Sequence, residues 1–461
     1  MTAFPQMFAA PALAPGLRFR PGHRPVYAAG NWACCTFLRT SVLLLMSLAS
    51  IAGTAFSQAI PAAVASPIST GFRLPSVQGS LNYSFGIHGS ESSGYYSSNG
   101  NYYSGGYSGN LAFITANQVH PFSMIASAGG SWGTYPQSST PYYSVAFSQV
   151  LNTRTWHFIL SDAPSYLPET PTTGLSGIPG TGDLGIAPIQ VGTSGQGVLT
   201  TYATRVSNAT TLSVSRSLTG KTSFQTLGTY STLFFVGNSN GGVNTDTLSI
   251  SGGLSHRITG RSSLSASYAY SESFYGPGQS GFISQTTSAS FSHQFSPRLT
   301  FGLSAGPQWT TYTNTSPAAP TTLSIYANAS IGYTAGLTHY SLSYFSGTNA
   351  GSGVSQGARS NGATISASRP IARVWSGAIS GAYTQTTSLA AAPTSFAAKT
   401  IVGSAQISRA LARNISIFAS YTLEDQPSSG TLAGTNAFAG VYRTAAFGLT
   451  YSPRSIRVGH Q

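Results

Sequence analysis

Stretches of roughly 9 to 15 residues in which apolar and small polar side chains alternate strictly, each closed by a turn, recur from about Gly79 to Ser452. In one, Leu299, Phe301, Leu303, Ala305, Pro307 and Trp309 are interleaved with Thr300, Gly302, Ser304, Gly306 and Gln308. In a second, Leu323, Ile325, Ala327, Ala329, Ile331 and Tyr333 alternate with Ser324, Tyr326, Asn328, Ser330 and Gly332, and in a third Ala445, Phe447, Leu449 and Tyr451 alternate with Thr444, Ala446, Gly448 and Thr450. A period of two means β-strands with one apolar face. Helical spacing is absent, and Gly, Ser and Thr at this density oppose helices. Strands of soluble proteins average about 5 to 6 residues. Strands of 9 or more, repeated throughout, match a tilted crossing of a bilayer.

The connections alternate in length. Short turns fall near Asn152–Arg154, Thr219–Lys221, Thr259–Arg261, Ser296–Arg298, Thr334–Gly336, Pro370–Arg373 and Ala410–Arg413. Between them lie longer Gly/Ser/Asn/Pro stretches such as Glu91–Tyr107, Pro164–Gly197, Gly237–Asn244 and Gly347–Asn361. A sandwich has no reason to keep its two ends so different, whereas a bacterial transmembrane barrel does. The spacing predicts an all-β fold, a transmembrane antiparallel up-and-down β-barrel of about 18 strands (16 to 20), with both chain ends on the short-turn side. The expected strands start near 79, 108, 122, 141, 155, 203, 222, 244, 262, 281, 298, 321, 337, 360, 373, 397, 413 and 440. No fixed-length motif recurs, which argues against a propeller or solenoid. Aromatics gather near the expected strand ends. Tyr142, Tyr143, Phe274, Tyr275, Trp309, Tyr312, Tyr344 and Phe345 lie on the loop side, and Trp156, Phe291, Phe295, Tyr333, Tyr340 and Trp375 on the turn side.

Composition supports the same class. Charged residues are 6% and aromatics 12%, too little charge for a soluble surface and too much Ser, Thr and Gly for a helical membrane bundle. The net charge is +13. Four arginines (Arg18, Arg20, Arg24, Arg39) lie in a leader, and the remaining bases are spread singly along the sequence, so nucleic acid is not an expected partner. Ser41–Ala52 is a short apolar stretch preceded by Arg39 and followed by small residues up to Ala59, the pattern of a secretory signal. Residues 1–59 are therefore read as an N-terminal extension plus signal peptide, 60–78 as a lead-in, 79–452 as the barrel and 453–461 as a C-terminal tail. Both cysteines, Cys34 and Cys35, fall in the leader, which leaves neither disulfide nor thiolate metal site after cleavage.

Chemical motifs are weak. Gly302–Gly306 and Gly353–Gly357 fit GxSxG, but the first lies mid-strand and the second in a Gly/Ser stretch, not on the strand-to-helix elbow a nucleophile needs. Gly180–Gly185 fits GxGxxG between prolines, where no helix can open. Histidines His88, His120, His157, His256, His293, His339 and His460 show no metal-ligand spacing, and no close pair of acids suits acid–base work. Catalytic, cofactor and metal residues are expected to be none, and the chain is not read as an enzyme.

The leader, the alternating hairpins, the arginine-bearing short turns and the final strand Phe447-Gly448-Leu449-Thr450-Tyr451 resemble the Gram-negative outer-membrane porin-like family. Tyr451 matches the aromatic that ends such chains and is recognised by the barrel-assembly machinery. The resemblance implies outer-membrane lipid, that machinery and small hydrophilic solutes or ions as partners, with room for a homo-oligomer. It also implies that one long loop folds inward to narrow a pore. The stretch from Asp162 to Gly197 is the longest, so Asp162, Glu169 and Asp183 are expected to line the constriction, with Arg205 pointing into the lumen by its parity. Arg443 shares the parity of Val441 and Phe447 on the lipid side, so it either snorkels near the interface or sits behind a bulge. The function implied is passive diffusion through a weakly selective pore, tilted slightly toward anions. The alternative is a non-conducting barrel whose surface loops serve adhesion or structure.

Overall fold

Alternation is realised as a single closed sheet. The structure is a computed structural model, and it describes residues 78–94, 101–117, 119–133, 140–168, 204–236, 243–276, 281–313, 321–350, 356–389, 397–426, 428–429 and 440–459. The 1–59 leader and most of the 60–78 lead-in lie outside the described residues.

Among the described residues, eighteen strands form an antiparallel up-and-down barrel. They are β1 (Gly79–Ser93), β2 (Asn101–Thr115), β3 (Phe122–Gly133), β4 (Thr140–Asn152), β5 (Trp156–Asp162, resuming at Ser165–Pro168), β6 (Thr204–Ser217), β7 (Thr222–Phe235), β8 (Thr245–Arg257) and β9 (Ser262–Tyr275). They continue as β10 (Phe282–Ser296), β11 (Leu299–Tyr312), β12 (Thr322–Ala335), β13 (Thr338–Asn349), β14 (Ala358–Ala372), β15 (Trp375–Ser388), β16 (Ala397–Ala412), β17 (Ile415–Gln426) and β18 (Gly440–Tyr451). Each strand pairs with its neighbours in sequence, and β18 closes on β1 from Phe85↔Tyr451 to Ser93↔Arg443.

Most strands begin within two residues of the expected positions. The exception is β2, which starts at Asn101 rather than near 108, because Tyr103, Gly105 and Tyr107 alternate with Ser104, Gly106 and Ser108 and pair in register with β1. Glycine there hid the pattern. The expected tail also takes part in the fold: Ile456–Val458 pairs with Gly79–Leu81, the stretch of β1 that β18 leaves uncovered. The tail completes the seam.

Register assigns two faces. The large apolar side chains Phe85, Ile87, Ile250, Leu254, Leu303, Ile365, Ile379 and Phe447 are exposed and share one face from strand to strand. That face is the outside, as a lipid-facing wall requires. The other face carries small residues, with a few larger exceptions such as Ile125 and Leu227. Arg443 pairs with Leu423 in an unbroken register, three residues into β18 from its loop end. It therefore faces outward at the rim, within reach of the interface, and no bulge is involved. Of the aromatics expected in the loop-side belt, Tyr143, Phe274, Trp309 and Tyr344 are exposed on the outer face, whereas Tyr142, Tyr275 and Tyr312 turn into the barrel.

Two positions need glycine. Pro307 cannot donate to the ladder, and the pairing of β10 with β11 skips from Thr286↔Gln308 to Ala289↔Ala305. There Gly306 lies so close that a Cβ would meet the Thr287 carbonyl at 1.8 Å. Gly357 has φ of +85°, and a Cβ on it would stand 3.1 Å from Phe282 and Leu389.

Candidate functional site: the lumen and its mouths

The inner wall is a set of hydroxyl ladders. Strand pairing sets serines opposite one another, and they bond across: Ser90–Ser104 at 2.5 Å, Ser263–Ser292 at 2.7 Å, Ser267–Ser288 at 2.9 Å, Ser341–Ser366 at 2.6 Å and Ser380–Ser404 at 2.6 Å. Such pairs satisfy one another yet keep free lone pairs for water. Ser304 of the first GxSxG stretch belongs to this wall, where its hydroxyl accepts from Ser290 at 2.9 Å. The motif is a strand, not an elbow.

At the loop end, the described ends of the β13–β14 connection seat against the inner wall. Tyr275 donates to the Ala350 carbonyl at 3.0 Å and Tyr312 to the Gln356 carbonyl at 3.4 Å. The Thr348 amide donates to Gln308 Oε1 at 2.9 Å, and the Leu389 amide to the Gly357 carbonyl at 3.1 Å. By register Tyr275, Phe282, Gln308 and Tyr312 all face inward, so the described ends of this connection lie on the lumen side of β9 to β11. The Gly347–Asn361 stretch has no charge to advertise that role except Arg359. Its only signal was the inward parity of two tyrosines on distant strands.

The residues expected to line a constriction fall apart. Asp162 ends the first part of β5 opposite Phe147 and Thr210, on the face of Leu160 and Leu212, which is the outer one. The Thr210 hydroxyl donates to its carboxylate at 2.5 Å. Glu169 and Asp183 lie outside the described residues. On β6 the backbone of Arg205 pairs with Phe235 of β7 at a position of inward parity, and its side chain lies outside the described residues. Sequence reasoning missed Glu424. It is the one strand-borne carboxylate with inward parity among the described residues, paired across from Val402 and Tyr442. It is 1% exposed, and neither carboxylate oxygen has a hydrogen-bond partner; the Thr400 hydroxyl nearby lacks one too.

Charge is segregated along the axis. The six described acids, Glu91, Asp162, Asp246, Glu272, Glu424 and Asp425, all fall near strand ends at the loop end. Twelve of the 17 bases after residue 59 fall at the turn end. Six of them (Arg154, Lys221, Arg261, Arg298, Arg373, Arg413) occupy the turns themselves. Bases that are scattered in sequence are thus collected by hairpin geometry into one ring. Local chemistry fixes several of them. In Thr219-Gly220-Lys221, Thr259-Gly260-Arg261 and Ser296-Pro297-Arg298 the hydroxyl accepts the backbone N–H of the basic residue two positions on, at 3.2 Å in each case. That is the side-chain-capped turn favoured by Ser and Thr.

No family model matches this sequence, and no curated protein matches it either. Several solved structures are similar in fold. They include the outer membrane protein OpdK of Pseudomonas aeruginosa (8% identical, TM-score 0.40, covering 82% of this chain and 99% of that one). OccK2 (OpdF) of the same organism is 9% identical with a TM-score of 0.43 over 82% and 98%. OccAB2 of Acinetobacter baumannii is 8% identical with a TM-score of 0.43 over 82% and 98%. Likeness this distant carries no argument about activity, so the functional reading rests on the barrel's own geometry.

Proposed function

We propose that this chain is an outer-membrane porin through which small hydrophilic solutes diffuse passively. The observation that carries the reading is the closed eighteen-strand barrel with an apolar outer face and a hydroxyl-lined inner one. Barrels of about 16 to 18 strands are wide enough for an aqueous channel, and a wall of serine and threonine offers water exchangeable partners without binding any solute tightly. Few charges face the lumen from the strands, which supports weak selectivity. Narrowing is assigned to the loop end, where the β13–β14 connection seats on Tyr275 and Tyr312. Glu169, Asp183 and Arg205 are proposed to contribute to that narrowing, and Asp162 is not, given its outward register. No catalytic role is assigned to any residue.

A second reading draws on burial. Tyr142, Phe282, Ser360, Thr400 and Glu424 have inward parity yet are almost wholly buried, which supports a lumen filled at its loop half and a barrel whose surface loops carry the function. Single-channel recording of the refolded, signal-less protein in a planar bilayer separates the two. Stable conductance steps with a weak reversal potential in a salt gradient are expected of the porin. A correctly folded barrel that never conducts overturns it in favour of the filled one.

A further inference from the structure

Among the described residues the ring of bases at the turn end has no acidic complement, because the six described acids sit at the other end. One part of it, where indole, guanidinium and aliphatic groups meet, is built on two adjacent hairpins. Trp375 begins β15 and pairs with Arg409 of β16, whose guanidinium lies 5.2 Å from the centre of its ring. Arg369 sits on the same outer face, opposite Gly377, two residues along from Trp375. Arg373 and Arg413 occupy the turns that close these two hairpins. All four arginines are exposed.

The backbone adds an apolar element at the same level. The registers of β14 with β15 and of β16 with β17 each shift by one residue just before the turn, at Pro370/Ala372 and Ala410/Ala412. The residues left unpaired, Ile371 and Leu411, are more than half exposed. Each therefore stands beside an exposed arginine at the outer rim. A second, separate pair repeats the theme: Arg216 lies 4.9 Å above the ring of Trp156. An aliphatic side chain, an indole and a guanidinium at one depth suit the boundary between acyl chains and headgroups, and guanidinium groups bind phosphate in two-point fashion.

We infer that the turn end of the barrel, centred on Arg369, Arg373, Arg409 and Arg413 around Trp375, is a binding surface for the headgroups of anionic phospholipids in the leaflet that meets the short turns. The occupant is a lipid and not a second copy, because a copy would bring the same positive ring. The inference rests on the reading that the barrel spans a membrane.

The tryptophan of the site serves as the probe. A W132F/W156F/W309F background leaves Trp375 as the emitter after the leader is removed. The protein is refolded into phosphatidylcholine vesicles containing either brominated phosphatidylglycerol or brominated phosphatidylcholine, and quenching is titrated against lipid fraction. The expected result is a preference for phosphatidylglycerol of roughly fivefold or more, as a few cations at an anionic surface provide. It is lost in R369Q/R373Q/R409Q/R413Q and in high salt, and retained in the loop-end control R359Q/K399Q/R443Q. Heat-modifiable gel mobility reports that each variant is folded, and the salt arm on the unsubstituted arginines tests the inference even if the quadruple variant does not refold. Equal quenching by the two lipids, or a preference that survives both the substitutions and salt, overturns the inference while leaving the membrane barrel intact. Absence of quenching by either lipid overturns the spanning reading beneath it.

Discussion

The assignment of faces makes a sharp prediction at Ile250 and Ser251, neighbours in the middle of β8. The strand runs from Thr245 to Arg257. At roughly 3.3 Å per residue and a tilt of about 40°, it spans about 30 Å along the barrel axis, the thickness of a hydrocarbon core. Ile250 is five residues from one end and seven from the other, so it lies within about 3 Å of the strand centre. It is 53% exposed and pairs with Gly228 and Tyr270 on the outer face. Ser251 pairs with Leu227 and Ala269 on the inner one. An arginine at Ile250 must sit in lipid near the midplane, at a cost of about 2–4 kcal/mol. An arginine at Ser251 extends into the lumen, where water solvates it, and stability should stay within about 0.5 kcal/mol of the parent. Urea titration of refolding into lipid vesicles, followed by tryptophan emission and heat-modifiable mobility, measures both. Single-channel recording should show the opposite ranking, with the Ser251→Arg pore shifted toward anions and the Ile250→Arg pore unchanged. Equal destabilisation by the two substitutions, or the larger loss at Ser251, would refute the face assignment and with it the hydroxyl-lined lumen.

Other parts of the barrel can be perturbed in the same way. Glu424→Leu removes a buried carboxyl whose oxygens have no partner and should raise stability by about 1–3 kcal/mol, read as a higher urea midpoint. Deleting residues 453–461 unpairs Gly79–Leu81 from Ile456–Val458, and should lower stability by roughly 1 kcal/mol per backbone hydrogen bond lost while the barrel still assembles; failure to assemble at all would give the tail a larger role than sealing the seam. Tyr275→Phe with Tyr312→Phe frees the carbonyls of Ala350 and Gln356, and single-channel traces should show larger or noisier conductance than the parent. Gly357→Ala places a side chain at φ +85° within 3.1 Å of Phe282 and Leu389, and should cost about 1–2 kcal/mol for the backbone conformation alone, measured by thermal loss of heat-modifiable mobility.

The architecture was legible because one physical rule acts on every strand. A wall between lipid and water forces a period of two, and Leu299–Trp309 or Leu323–Tyr333 displays it without interruption. Where the rule weakens, so did the reading. The start of β2 was missed since glycine at 105 and 106 carries no side chain to alternate. Aromatic type alone suggests an interface belt for Tyr142, Tyr275 and Tyr312 but says nothing about parity, and their pairing partners place them inside. The constriction was harder for a different reason. Loop length and acid count drew attention to Asp162, yet its outward register follows from Leu160 two residues earlier, which the same alternation rule could have supplied. The seating of Ala350, Gln356 and Gly357 depends instead on contacts between strands far apart in sequence, and no local pattern in a Gly/Ser stretch encodes those. Charge shows the converse case. Each arginine looked isolated along the chain, but a barrel of hairpins folds every second connection to the same rim, so a residue repeated once per short turn becomes a ring. The Thr-x-Lys, Thr-x-Arg and Ser-x-Arg turns carry that information in three residues. Parity and turn identity together therefore place a charge by height and by face, which single-residue spacing along the sequence cannot do.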